Sequence, residues 1–375
     1  MFDYIKINIL KALTVVLSST VSVQGMAERL LDADTGTPLP LASISDRHGN
    51  VIGMTSREGV IPKFAADCFP ITFTYMGYEP VEVALPDGKD VLLRQNLYEL
   101  PEIVVAPGSR PLLHLTGYMR EVSSQLGPID SITVFRESIV DFLTPVEKTK
   151  FKGWSKPRVL ASRTFVRISD SSGFDSIGSG VDNEYMLWGD RFSFIPSSKA
   201  IPESMKGSGR FATDTVMGKY FPKNIWVKNG SMIRWYADML ADKKGHVYTP
   251  WVLKAAGMTS DFKDASFNYV FHKEDGNQLK PTDLTRMSLS IDILLRGKIA
   301  KWAYNSSGPL HLRTYIEFYL TDSEYLTEAD GKALKKNPPV YKTSEVKAPL
   351  NADPPHPGIR RIVERGVALK KHDRK

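Results

Sequence analysis

Ile71-Thr72-Phe73-Thr74-Tyr75-Met76-Gly77-Tyr78-Glu79 is the stretch on which the fold turns. Ile71, Phe73 and Tyr75 alternate with Thr72, Thr74 and Met76. That period of two, rich in β-branched and aromatic side chains, predicts a half-buried strand. Gly77 interrupts it, as a bulge or a close backbone approach would. Working outward, His48-Gly49-Asn50 and Glu58-Gly59 bracket residues 51–55, a short strand between two turns. Pro38 and Pro40 suit the loop before a strand at 42–45. Residues 81–84 and 91–93 flank Pro86-Asp87-Gly88, which reads as a turn. Short strands at turn spacing predict a β-sandwich, with its last strand at 100–105.

The order of these segments carries a resemblance. Thr35-Gly36-Thr37-Pro38-Leu39-Pro40 precedes Gly49-Asn50-Val51-Ile52-Gly53-Met54-Thr55-Ser56-Arg57-Glu58-Gly59, and Leu100-Pro101-Glu102-Ile103-Val104-Val105 closes the set. The whole resembles the carboxypeptidase-regulatory-like domain, a seven-stranded, prealbumin-like (transthyretin-type) β-sandwich. Such domains sit near the N-terminus of many exported proteins of Bacteroidota-type bacteria, TonB-dependent nutrient receptors among them. The resemblance implies a non-catalytic accessory module. The chain departs from the family at Arg57 and Val60, where an acidic residue and a Phe are usual.

At 375 residues the chain has room for two domains, and 42% hydrophobic and 24% charged residues are ordinary for a globular protein. Those figures exclude global disorder and a multi-span membrane protein. The formal charge of +7 is concentrated at the end: residues 332–375 hold twelve Lys and Arg against four Asp and Glu. A basic tail suits an anionic partner or a solvated, partly disordered end, and the latter is the expectation for 339–375.

Residues 1–25 read as a signal peptide. Lys6 and Lys11 give a positive start, and 12–23 is an apolar run of about a dozen residues, too short to span a bilayer. Small residues allow cleavage after Gly25 or Ala27. The mature chain is expected to be exported to a periplasm or the periplasmic face of the outer membrane, without a transmembrane segment. Cys68 is the only cysteine and reads as a small hydrophobe beside the Ile71 strand.

The domain boundaries follow. The sandwich occupies 27–106, and Ala106-Pro107-Gly108-Ser109-Arg110-Pro111 supplies a linker at 107–111. A β-rich α+β domain runs over 112–338. Its strand candidates are 131–142, 158–168, 185–195, 266–272, 289–299 and 312–320, with a hairpin turn at Lys273-Glu274-Asp275-Gly276-Asn277. One helix is expected from Ser231, with Met232, Tyr236, Met239 and Leu240 on one face and Gly245 at its end. A second, short helix is expected at 327–336, stopped by Pro338-Pro339. Gly117-Tyr118-Met119-Arg120-Glu121, Val134-Phe135-Arg136-Glu137, Asp141-Phe142-Leu143-Thr144-Pro145 and Lys152-Gly153-Trp154 resemble the C-terminal halves of uncharacterised two-part proteins that carry the same first domain. The element order is also analogous to lipoprotein-carrier half-barrels, a long antiparallel sheet curved around a helix.

No reaction is legible. The seven histidines (His48, His114, His246, His272, His311, His356 and His372) include no His with Glu three residues on, so the zinc site of a carboxypeptidase is missing. Gly178-Ser179-Gly180 and Gly207-Ser208-Gly209 do not extend to a nucleophile elbow. Asp170, Asp175, Asp182, Glu184 and Asp190 lack the alternation of a calcium loop and read as loop solubility. Glu137 and Asp141 read as solvated charges rather than an acid/base pair. No catalytic residue, metal or cofactor is therefore expected. The aromatics of the second domain, above all Trp188, Trp226, Trp235 and Trp251, are candidates to stack on a sugar or line an apolar groove, with membership of the core as the commoner fate of such residues. The expected function is that of a non-enzymatic, exported accessory protein of the cell envelope. The sandwich would be an interaction or spacer module, and the second domain would bind an envelope partner, a glycan or a lipid. A glycan-directed hydrolase using paired carboxylates is the alternative, and nucleic acid is not an expected partner.

Overall fold

The computed structural model describes residues 28–355, except 48–50, 57, 76, 86, 96–108, 128–130, 170–174, 180–186, 188, 190–192, 194, 197–198, 207–210, 218–222, 241–254, 256, 274–276, 298–307, 351 and 354. Within them the chain is mainly β, with one α-helix.

The first unit holds six strands: β1 (Leu30–Asp32), β2 (Ser43–Ser45), β3 (Val51–Met54), β4 (Ile71–Thr74), β5 (Val81–Val83) and β6 (Val91–Leu93). Four form an antiparallel sheet in the order β3-β2-β4-β5, and β1 pairs in parallel with β6. The alternation on β4 does what its sequence predicts. Ile71 and Phe73 point inward and meet Ile44 from β2 and Leu30 and Leu93 from the small sheet in one core. The two sheets are thereby layered as a sandwich. Gly59 must be glycine, since its φ is +73° and a Cβ would lie 2.8 Å from the Leu30 carbonyl oxygen. The link from β5 to β6, with Gly88 at φ +76°, carries the chain from one sheet to the other. The expected strand at 100–105 lies outside the described residues.

The second unit is one ten-stranded sheet. Its strands are β7 (Leu112–Leu126), β8 (Ser131–Pro145), β9 (Trp154–Ser169), β10 (Asp175–Ser179), β12 (Phe211–Val216), β13 (Lys223–Asn229), β14 (Met232–Asp238), β15 (Met258–His272), β17 (Leu284–Gly297) and β18 (Leu310–Leu326). They run in the order β10-β9-β8-β7-β18-β17-β15-β14-β13-β12, every neighbouring pair antiparallel. A separate two-stranded piece pairs β11 (Lys199–Ala200) with β16 (Gln278–Leu279). The strands expected at 131–142, 158–168, 266–272 and 312–320 are parts of β8, β9, β15 and β18, and of the one expected at 289–299 the described residues, 289–297, belong to β17. The segment 185–195 falls largely outside the described residues. The link after β15 is longer than a hairpin turn, because β16 and a 3-10 turn at Pro281–Asp283 intervene before β17.

The helix expected from Ser231 is a correction: Met232–Asp238 is β14, paired on both sides, with β13 and with β15. Asn229-Gly230-Ser231 makes the hairpin, with Gly230 at φ +59° in the first central position of a two-residue connection. Met232 and Tyr236 share a face in a strand as they would in a helix. The rest of the segment, Ile233-Arg234-Trp235-Tyr236, is β-prone and alternates apolar with polar. Gly245 lies outside the described residues. The short C-terminal helix is present as α1 (Glu328–Lys336), with Thr327 Oγ1 accepting from the Asp330 amide in a capping box.

Strand alternation gives the sheet two unlike faces. One face carries Leu113, Leu115 and Met119 of β7, Val140 and Phe142 of β8, Ile316 and Phe318 of β18, Met287 and Leu289 of β17, and Trp226, Trp235, Tyr269 and Phe271 of β13 to β15. All are buried in a single cluster that Ile201, Met205 and Leu279 join from above. The opposite face is polar, and the sandwich and the C-terminal segment cover it. Arg234 reaches the sandwich loop at Pro40 and Leu41, and a Cβ at Gly77 would stand 3.1 Å from Arg286 Nη2, the close approach its sequence suggested. On the other side Val346, fully buried, packs on Tyr118 and Tyr319 together with Ala352. The tail is thus built into the fold as far as these residues, while 356–375 lie outside those described. No helix among the described residues is long and apolar enough to cross a membrane.

Candidate functional site

Between the sandwich, the polar face of the sheet and the end of the tail lies a cavity of about 470 Å³. Its floor follows from register. Asn268 of β15, Ser288 of β17, Glu317 of β18 and Arg120 of β7 stand in one row across four strands. Ser266, Ser290 and Tyr315 make the next row, and Asp264, Asp292 and Arg313 the third. Each strand thus contributes every second residue, and each is polar except Val122 of β7, the partner of Tyr315. Ser43 and Ser45 of β2 and Thr74 of β4 face the floor from the sandwich, and Asp353 and Pro355 close one side.

The charges on this floor are mostly matched. Arg120 donates through Nε to Glu317, which also accepts from the Tyr315 hydroxyl at 3.0 Å. Asp292 accepts from Arg313 Nε at 3.2 Å and pairs with His311. Arg286 Nη1 lies 3.4 Å from Asp353 Oδ1. Burial pushes the Asp353 carboxyl up to about 7, against the opposing pull of Arg286. The Tyr236 hydroxyl is buried without a hydrogen-bond partner of proper geometry, although Ser266 and Asp264 lie beside it; burial raises its pKa. Chemically the site offers hydroxyls, one amide and ionised groups at fixed spacing, the inventory of a polar-ligand pocket.

The tryptophans are elsewhere. Trp226 and Trp235 sit on the apolar face, 1% and 8% exposed, with rings stacked at 5.5 Å; Trp235 stacks in turn on Tyr269 at 5.0 Å. Lys199 Nζ lies 3.6 Å from the Trp235 ring centroid. Trp188 and Trp251 lie outside the described residues, as do Asp170, Asp182, Glu184 and Asp190; Asp175 begins β10. Glu137 and Asp141 are a correction. They are on β8, 6% and 0% exposed, and are ion-paired rather than solvated. Glu137 accepts from Tyr118 and Arg163, and Asp141 binds His114 Nε2 at 3.0 Å and Arg158. These partners lie on the polar face of the long strands, beneath the tail and α1. The ion pairs hold Asp141 below the usual carboxylate range and His114 above the usual imidazole range, each against burial, which is the largest influence on both. Cys68 is half-buried beside the sandwich core.

The residues that line the cavity were not singled out by motif. Their signal is the polar half of an alternation, Asp264-x-Ser266-x-Asn268, Ser288-x-Ser290-x-Asp292 and Arg313-x-Tyr315-x-Glu317.

No family model matches the chain and no curated protein matches it. Among solved structures, a lipovitellin concerned with lipid–protein interactions is similar over 58% of this chain and 26% of its own, at 8% identity and a TM-score of 0.30. This chain therefore spans about a quarter of the lipovitellin chain, and a likeness at that TM-score carries no argument about ligand or fold.

Proposed function

We propose that this protein is a non-enzymatic, exported accessory protein of the cell envelope that holds a glycan in the cavity between its sandwich and its sheet. The observation that carries this reading is the floor of three cross-strand polar rows beneath Ser43, Ser45 and Thr74. A cavity of about 470 Å³ is in the range of small-ligand sites. The leader-like start at Lys6 to Val23 and the family resemblance of the sandwich support export and an accessory role. An envelope protein that meets the sandwich remains the proposed partner.

Calorimetric titration of the purified chain with a panel of envelope oligosaccharides tests this. Binding to at least one is expected, with loss in Ser290→Trp, whose indole fills the floor, at unchanged melting temperature. Retained binding in that variant would move the site away from the cavity.

A second reading is favoured by one feature. Asp264 and Asp292 are register partners on β15 and β17. Directly opposed side chains have Cβ atoms about 5 Å apart, near the carboxyl separation of retaining glycoside hydrolases. Under that reading the bound oligosaccharide is cleaved and Asp264→Asn abolishes cleavage. Recovery of intact ligand after prolonged incubation supports the accessory reading instead.

A further inference from the structure

Four of the five cations around the cavity have a carboxylate partner: Arg120 has Glu317, Arg286 has Asp353, Arg313 has Asp292, and Lys263 has Asp261. The fifth is Arg234. It is 5% exposed, and no carboxylate among the described residues stands within ion-pair distance of it. Its engaged N–H groups all meet neutral oxygens. Nε donates to Asn268 Oδ1 at 2.6 Å, while Nη1 and Nη2 make long contacts of 3.4 and 3.3 Å with the Pro40 and Leu41 carbonyls. The guanidinium carbon lies 3.9 Å from the Tyr75 ring centroid. A guanidinium has five N–H donors, so two are left. A buried cation without a counter-charge is a costly arrangement, and a planar fork is the group best matched to a carboxylate. Arg234 lines the cavity next to the Asn268 row, where hydroxyl and amide groups follow at strand spacing.

We propose that the ligand of this cavity is an acidic saccharide, a uronate whose carboxylate meets the remaining Arg234 donors while its ring hydroxyls meet Asn268, Ser288 and Ser266. This rests on the glycan reading given above and narrows it. It also separates Arg234 from a purely mechanical role. A clamp between sandwich and sheet would need only the neutral contacts to Pro40 and Leu41, and would not discriminate between charged and uncharged sugars.

The test is calorimetry on the full chain with trigalacturonate and with its carboxyl-reduced, neutral analogue. At least tenfold tighter binding of the acid is expected. Arg234→Gln should bring the acid down to the level of the analogue, and Arg234→Lys should restore part of the preference. Should Arg234→Gln fail to fold, the acid-to-neutral ratio of the parent and of Arg234→Lys still decides. Equal affinities, or an acid preference that Arg234→Gln does not touch, overturn the inference while leaving the glycan reading standing. Binding of neither sugar overturns both. Capture of a carboxylate-ended peptide by a cavity that ignores both sugars likewise overturns both.

Discussion

The two faces of the ten-stranded sheet are built from the same strands yet solve different problems. On β18, Ile316, Phe318 and Leu320 go into the apolar cluster, while Arg313, Tyr315 and Glu317 go to the cavity side. The first set is buried through shape and apolar contact, without any directional requirement. The second is buried only because each charge has a partner placed by register on the neighbouring strand. The apolar face gives the sheet its stability, and the polar face gives it a fixed pattern of donors and acceptors.

The comparison breaks most visibly at Phe318. Its ring is fully buried, makes an edge contact with Phe142 at 5.4 Å, and lies over Gly117, where even a Cβ would come within 2.5 Å of the ring's Cζ. Phe318→Ala should cost about 4 kcal/mol in denaturant unfolding; a loss below about 1 kcal/mol would show that this face does not carry the fold. On the polar face, Arg120→Met leaves Glu317 buried without its counter-charge and should cost about 3 kcal/mol, whereas Arg120→Met with Glu317→Leu should recover most of it. Arg120 Nη1 also donates to the Asp353 carbonyl, and a double variant as unstable as the single one would mean that Arg120 acts through that bond instead.

A further expected effect is a pH dependence. Arg286, Arg120, Glu317 and Tyr319 surround Asp353, and burial raises its carboxyl from the usual 3.8 to about 7. A raised carboxyl pKa means that the folded state keeps a proton the unfolded chain would release. The stability this group contributes is therefore greatest below about 3.8 and declines as pH rises to about 7. Asp353→Asn should gain on the parent in melting temperature across that interval and hold a constant offset above it. Parallel curves for the two proteins would place the Asp353 carboxyl back in the ordinary range.

Much of the fold was legible because its strands are long and alternate. Residues 131–142 and 312–320 show the period of two without help from context, and Thr327 with Asp330 announces α1. The β14 segment misled because Met232, Tyr236, Met239 and Leu240 fit a helical spacing, and the Asn229-Gly230 hairpin signal in front of it was the better guide. The site was hardly legible. Tryptophans are the conspicuous side chains of the sequence, and Trp226 and Trp235 are core. Ser, Asn and Asp at alternate positions look like the solvated side of any surface strand. Only the docking of the sandwich and the tail over them, a matter of sequence-distant contact, turns that side into a lined cavity. Glu137 and Asp141 were misjudged for the same reason, since their cover comes from elements far away in the chain.

The place of β18 has a consequence for how the molecule comes together. Among the described residues it is the last strand in sequence, yet it lies in the middle of the sheet, between β7 and β17. The pairing of β7 with β18 joins residues some two hundred positions apart, as the Ser123–Thr314 hydrogen bond does across 191. Without residues 310–326 the strand order divides into two halves, β10 to β7 and β17 to β12, each with a long edge that β18 pairs in the finished sheet. Such edges pair readily with other chains, and closing so long a loop is slow. A nascent chain stopped before Leu310 would therefore be more aggregation-prone than its length suggests. The final strand is the keystone whose arrival makes one sheet out of two.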